Sequence, residues 1–381
     1  MITKFDNFYG GHVEMENLGF RGLPVDERIE TDEHLSTVFD EAREMAEIMD
    51  GTGYDTLWFA EHHFQREGYG CIPNIPMLAV HLARCTEHLN FGSMFNTVPA
   101  WHPLRLAEDY ALADVLTGGR VRFGIGRGYI PREVETLGAP LEDDSANRAL
   151  FEEQVEIVFK AWGEQSFSHR GRHYDLPARV VNRRSELEEI TLVPRPKKPI
   201  ECWQPIFSVS PRGIDFMVRH GIKGVVPGGG RVEEIAERWQ EAHRLAGRET
   251  ELGEDLALVL QIHLADTQQQ AVDEARCWFE EQLKVLAPLD RMPALTQEQV
   301  DATYDPVKAP FAGLPTIEDL VSDGAWICGP PEHVVERLEE IQDRLPGLKR
   351  ITVSAGALAI PPSVLKADLK WFGEAVIPRF I

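Results

Sequence analysis

The sequence predicts an α/β protein, a (β/α)8 TIM barrel with an insertion before strand 5 and a long loop after strand 7. Three observations carry this reading. Short apolar runs alternate with stretches of helical periodicity along the whole chain, and eight strand–helix units can be counted. No antiparallel hairpin signature interrupts the first four of them. No linker divides the chain, so residues 1–381 read as one barrel domain.

Taken in order, residues 2–9 form strand 1, followed by a long Gly-, Pro- and acid-containing loop to about Asp32. Leu35, Val38, Phe39, Ala42, Met45, Ala46 and Met49 give helix 34–50 one apolar face, ended by Gly51 and Gly53. Strand 54–60 runs into Glu61-His62-His63, helix 76–85 follows, and 89–97 is strand 3. In helix 103–116 the apolar positions are Leu104, Ala107, Ala111, Leu112 and Val115; Thr117-Gly118-Gly119 stops it before strand 121–125. Helix 145–162 closes the fourth unit. Residues 163–199 break the rhythm and predict a small hairpin inserted before strand 5 at 200–207. Pro211 opens a helix to His220, with Ser210 placed to cap it. Strand 222–226, helix 232–246, strand 256–264 and helix 267–286 complete units six and seven. The segment 288–314 is too long for a routine connection and predicts a lid. Helical pieces at 316–322 and 331–345, strand 350–355 and helix 363–376 end the chain.

Composition bounds the function. The chain has 39 Lys plus Arg against 62 Asp plus Glu, a net charge of -23, which argues against nucleic acid or an anionic membrane as partner. An acid-rich or salt-adapted proteome explains the excess equally well. The five cysteines are scattered with no CxxC pair, against a disulfide scaffold or a thiolate zinc site. No apolar run is long enough to span a membrane and no signal peptide precedes the first strand, so a cytoplasmic protein is expected.

A barrel carries its site where its strands end. There the early strands supply aromatic residues and histidine, and the middle ones arginine, serine and glycine, which suits an elongated ligand with a planar end and an anionic end. Arg127, between Gly126 and Gly128, and Arg148, near the start of the next helix, are the anion candidates. Ser210 adds a hydroxyl beside the free amides of helix 5, a seat for phosphate. The alternative is that Arg127 pairs with Glu133 or Asp144 and Ser210 only caps its helix. The spacing Gly124-x-Gly126-x-Gly128 does not match a dinucleotide fingerprint. His62 and His63, adjacent at a strand end, point to opposite sides and cannot easily share a metal ion, so no metal is expected. One of them facing the cavity suits a general base or a proton donor; the alternative is a buried histidine bonded to a helix, with Glu61 as its anchor.

FAEHHF at 59–64, HPLRLAEDYALADVLTGGRVRFGIGRG at 102–128, NRALFEE at 147–153 and the closing FGEAVIPRF resemble the bacterial luciferase-like flavin-dependent monooxygenases. The resemblance extends over nearly the full chain. It implies a (β/α)8 barrel using FMN, delivered in reduced form by a separate NAD(P)H-dependent flavin reductase, with dioxygen, to oxidise a small organic substrate through a C4a-peroxyflavin. It implies that His62 is the catalytic histidine and His63 its functional neighbour. Arg127 and Arg148 then grip the FMN phosphate with Ser210, and Val209 stands where luciferase has a glutamate contributing its backbone. Gly128 belongs to the same binding turn. Met94 and Phe95 match a pair joined by a non-prolyl cis peptide beneath the flavin ring, and 288–314 matches a mobile lid. Gly126 replaces the reactive cysteine of luciferase, and Phe95 and Trp101 are bulkier than their counterparts, so light emission and a long-chain aldehyde substrate are not implied. A homodimer is expected, since the chain lacks the second subunit of luciferase. Two other functions compete: an oxidoreductase using the deazaflavin F420, which would want a basic cluster at the pocket mouth, and a non-catalytic flavin-binding protein, against which His62 and the long lid both count.

Overall fold

Eight parallel strands close on themselves in a computed structural model describing residues 1–289, 295–353 and 358–381. They are β1 (Lys4–Tyr9), β2 (Thr56–Phe59), β3 (Asn90–Ser93), β4 (Val121–Gly126), β5 (Cys202–Pro205), β6 (Lys223–Pro227), β7 (Leu256–Leu264) and β8 (Arg350–Val353). Each pairs with the next, and β8 returns to β1 through the register Lys4–Arg350 to Asn7–Val353. Around them lie α1 (Asp32–Gly51), α2 (Ile75–Leu82), α3 (Pro103–Thr117), α4 (Asp144–Gly163), α5 (Pro211–His220), α6 (Val232–Leu245), α7 (Gln268–Leu286), α8 (Pro331–Arg344) and α9 (Pro362–Ala375).

Local chemistry explains the helix ends. The Thr31 hydroxyl accepts from the His34 amide at 3.2 Å and starts α1, with Asp32 and Glu33 in its first turn. Gly118 and Gly221, both left-handed, end α3 and α5. Buried Val38, Ala42, Met45, Ala46 and Met49 form the face that α1 lays on the barrel.

Inside the barrel, Trp58, Met94, Trp203, Val225 and Ala257 pack together, with Phe8, Phe95 and Val259 against them. The Trp58 and Trp203 rings meet edge to face at 6.0 Å. Trp58 fits only because its neighbour on β3 is Gly92, where an added Cβ would lie 2.3 Å from the indole. Below this apolar layer the strand starts supply charges. Arg350 donates to both Asp6 oxygens at 2.6 and 2.7 Å and to Asp55 at 2.8 Å. Arg122 bridges Asp55 (3.1 Å) and Glu201 (2.9 Å), and Lys223 bridges Glu201 (3.1 Å) and Asp255 (3.4 Å). Trp58 Nε1 donates to Asp6 at 2.7 Å, joining the two layers.

The differences from expectation have local causes. Strand 3 stops at Ser93, and a separate two-residue piece, Asn96–Thr97, pairs with β4; the Met94–Phe95 peptide between them is cis. The insertion holds two small antiparallel pairs, His169–Arg170 with Asp175–Leu176 and Val181–Asn182 with Ser185–Glu186. A further parallel strand, Trp326–Gly329, extends the sheet beside the outer half of β7; its four residues, WICG, carry no period to read. On α3, Leu112 and Leu116 are exposed, while Leu106, Ala107, Tyr110 and Ala111 face the barrel. The segment expected as a lid includes a helix, Gln297–Ala302, and Phe20, Leu283, Ala309 and Leu314 form a small core that ties it to α7 and the loop after β1. Residues 290–294 of that segment, and residues 354–357 at the end of the expected last strand, lie outside the described residues. All five cysteines are free, and among the described residues no helix is long and apolar enough to cross a membrane.

Arg350→Ala strands two carboxylates at the barrel base and is expected to cost about 3–5 kcal/mol in a denaturant titration. Burial pushes Asp55 and Glu201 up, but Arg350 and Arg122 facing Asp55, and Arg122 and Lys223 facing Glu201, outweigh it and hold both below the usual carboxylate range. Their contribution is therefore complete above about pH 4, the unfolded value, and is lost as pH falls through their depressed folded values. Asp6, which burial raises, works in the opposite sense. Wild type should lose stability on acidification below pH 4 more steeply than Arg350→Ala.

Candidate active site

His62 and His63 leave the end of β2 in different directions, as alternation along an extended backbone requires. His62 is buried, and its Nδ1 lies 3.1 and 3.3 Å from the two oxygens of Glu133. Glu133 sits in a one-turn helix, Pro131–Val134, just beyond the Arg127–Gly128–Tyr129 turn. It also accepts from the His63 amide (3.1 Å) and the Gln65 side chain (2.7 Å). Burial would raise Glu133, but these donors and the neighbouring imidazole hold it below the usual carboxylate range. A carboxylate only accepts, so His62 donates from Nδ1 and keeps its lone pair on Nε2. His62 thus also satisfies the plainer expectation of a buried histidine bonded to a helix. Glu133 is not the partner of Arg127.

His63 turns to Glu61, with Nε2 at 2.9 Å from the carboxylate, whose hydrogen bond raises the imidazole pKa. Glu61 is fully engaged: it accepts from Trp101 Nε1 at 2.8 Å, the Thr97 amide at 3.2 Å and the Asn96 side chain. Tyr110 continues the network, its single hydroxyl lying within hydrogen-bonding reach of both Asn96 Oδ1 and Ser93 Oγ. Glu61 anchors His63, not His62. Trp101, noted above as bulkier than its luciferase counterpart, joins this polar web through Glu61. Among the described residues no group of His, Cys, Asp and Glu is arranged to hold a metal ion.

The anionic end is built by α4 and α5. Arg127 reaches back over the first turn of α4 to Asp144 (2.6 Å) and Asn147 (3.4 Å). Arg148, half-buried, lies against the start of α5: a Cβ added to Gly213 would stand 3.9 Å from its guanidinium. Burial and the like charges of Arg127 and Arg212 hold Arg148 below the ordinary guanidinium value. Arg212, which sequence reasoning passed over, pairs with Glu152 at 2.6 and 3.1 Å. Ser210 precedes Pro211 at the start of α5, yet its side chain makes no cap hydrogen bond, contrary to the simple capping reading. Val209 is half-buried against the core. Three guanidiniums, the Ser210 hydroxyl and a helix N-terminus converge, with Asp144 and Glu152 as internal counter-ions. The net positive charge at a helix N-terminus is an arrangement able to accept an anion.

The glycines between the two ends serve the backbone. A Cβ at Gly124 would fall 1.8 Å from the Ser93 carbonyl, and one at Gly126 would sit 3.2 Å from Phe95 Cβ. They let β4 run directly beneath the Ser93–Asn96 turn, so the cis-linked Met94 and Phe95 cap the Trp58–Trp203 layer. Gly128 alone needs its freedom of angle, at φ 79°, with Val134 packed where a side chain would go.

The family model for luciferase-like monooxygenases matches residues 23–346. The chain belongs to the luciferase-like flavin monooxygenase family. It is 27% identical over 347 residues to 4-hydroxyprotoasukamycin monooxygenase of Streptomyces nodosus subsp. asukaensis, covering 88% of this chain and 85% of that protein. The FMN complex of the oxygenating constituent of 3,6-diketocamphane monooxygenase from Pseudomonas putida, a type II Baeyer–Villiger enzyme, superposes with TM-score 0.74 at 20% identity, covering 100% of this chain and 99% of that one. An F420-dependent secondary alcohol dehydrogenase superposes with TM-score 0.68 at 14% identity, covering 100% of each chain. The barrel is thus shared by enzymes with different flavin-type cofactors, and the side chains must discriminate.

Asp144 is exposed and competes with any incoming anion for Arg127. Asp144→Asn should tighten inorganic phosphate binding by about 2–5-fold in calorimetry, the scale of an exposed ion pair; weaker binding would make Asp144 part of the scaffold of the seat instead.

Proposed function

We propose that the protein is an FMN-dependent monooxygenase that receives reduced flavin from a separate NAD(P)H-dependent reductase and uses dioxygen to oxidise a small organic substrate. The observation that carries this reading is the gathering of Arg127, Arg148 and Arg212 at an α5 N-terminus whose Ser210 hydroxyl is uncommitted. An excess of positive charge at one corner of a protein with net charge -23 calls for a specific anion. Reduced FMN, when bound, supplies the electrons that activate dioxygen. Arg127, Arg148, Ser210 and the backbone of Val209 and Gly128 would hold its phosphate. Met94 and Phe95, above the Trp58–Trp203 layer, offer an apolar floor to a planar ring. His62, with Nε2 as its basic nitrogen, accepts and returns a proton at the reacting centre. His63, whose imidazole is charged more readily because of its hydrogen bond to Glu61, stands beside it.

The oxygenating-constituent description of the superposed diketocamphane enzyme supports the separate reductase. The free cysteines suit the cytoplasm, where such a reductase would operate. A homodimer is the assembly we favour: Met77 on α2 and Leu112 and Leu116 on α3 are exposed apolar residues on neighbouring helices.

Protein titrated anaerobically with FMNH2 and then mixed with oxygen should accelerate flavin reoxidation and transfer labelled oxygen to substrate. Absence of both, with tight F420 binding in their place, would sink the proposal in favour of hydride transfer. Arg127→Ala and Arg148→Ala should each weaken FMN by about 10–100-fold, the range of a charge-assisted hydrogen bond, and leave riboflavin unchanged; equal losses for both ligands would remove these arginines from the phosphate. His62→Ala should bind FMN within about 3-fold of wild type and slow turnover by ~10²–10⁴.

A further inference from the structure

We infer that Glu133 is the positioning residue for His62, fixing the Nδ1–H tautomer and tying the basic nitrogen to the arginine turn. This rests on the proposed oxygenase reading, in which His62 moves a proton. The geometry goes beyond a loop staple. The ring is held on three sides: Glu133 on Nδ1, the Tyr129 ring edge-to-face at 5.9 Å, and the Gly70 backbone, where an added Cβ would come within 2.6 Å of the imidazole. The His62 amide donates to the Ile72 carbonyl at 3.1 Å and fixes the root of the side chain. Only Nε2 then remains to meet a reactant.

Glu133 belongs to the same short piece of chain as Arg127. Val134 packs on Gly128, and the Pro131–Val134 turn follows within a few residues, so the backbone that carries Arg127 is packed against the turn that carries Glu133. A ligand whose anionic end is gripped by Arg127 is thereby placed at a set distance from His62. During proton transfer Nε2 takes a proton from an acidic O–H or C–H of the bound reactants. The imidazolium so formed keeps its Nδ1–H on Glu133, whose negative charge faces it, and returning the proton restores the neutral ring. The other charges at this corner are already paired: Arg132 with Glu67 at 2.7 Å, and His63 with Glu61. Glu133 is the carboxylate that contacts His62.

The test uses full-length protein labelled with 15N-histidine, with the His62 signals assigned by His62→Gln. Wild type should show the Nδ1–H tautomer at neutral pH, and Glu133→Ala should move His62 to a mixture richer in Nε2–H. Glu133→Gln keeps the shape and an acceptor oxygen but loses the charge. It should retain the Nδ1–H tautomer while kcat falls at least ~10-fold, FMN binding stays within about 3-fold, and the acidic limb of the kcat profile moves about one pH unit lower. Glu133→Asp should recover part of the lost kcat. A wild-type Nε2–H tautomer, or Glu133→Ala and Glu133→Gln both turning over as wild type, would overturn the inference. If Glu133→Ala does not fold, Glu133→Gln alone decides, by its kcat and pH profile. Full turnover by His62→Ala would instead refute the oxygenase role of His62, and the tautomer spectra would still report on Glu133.

Discussion

Arg350 closes the barrel. It comes from the last strand and binds Asp6 of the first and Asp55 at the foot of the second, so the ring is completed by charge as well as by the β8–β1 ladder. Such a buried cluster is costly to assemble, because each ion leaves water, and it tolerates only arrangements in which every charge is met. Strand register is pinned at the bottom, and the apolar Trp58–Trp203 layer is held up by the indole bond to Asp6. Everything above that layer inherits its position, including the Met94–Phe95 turn and the ends of β2 and β4.

The top of the barrel repeats the principle with a different outcome. Each histidine is given its own carboxylate, His62 with Glu133 and His63 with Glu61, and neither carboxylate is shared with the arginines. The arginines keep their own acids, Asp144 for Arg127 and Glu152 for Arg212, both nearer the surface. A buried pair resists exchange, whereas an exposed pair yields to a competing anion. The site is therefore buried and fully paired at the end where protons would move and more exposed at the end where a phosphate would enter.

Much of this was legible in the chain. Periodicity placed the barrel strands and main helices because one side of each must face the core, and α5 and β7 appear at their expected bounds. The strand Trp326–Gly329 was not legible: it is buried on both faces and too short to carry a period. The α3 face was misjudged at Leu112 because an apolar residue is not obliged to be buried. Glu133 and Arg212 were missed as functional residues, since an acid in a loop and an arginine in a first helical turn look like ordinary surface.

By itself the sequence determined the fold class, the family and the residue types available at the strand ends, because local pattern and motif spacing are written along the chain. Tertiary structure decided pairing: which acid holds which histidine, that Gly124 and Gly126 admit the Ser93–Phe95 backbone, and that Ser210 leaves its helix uncapped. His62 and Glu133 stand 71 residues apart in the chain and Ser93 and Gly124 stand 31 apart, and only closure of the barrel brings such segments within hydrogen-bonding reach.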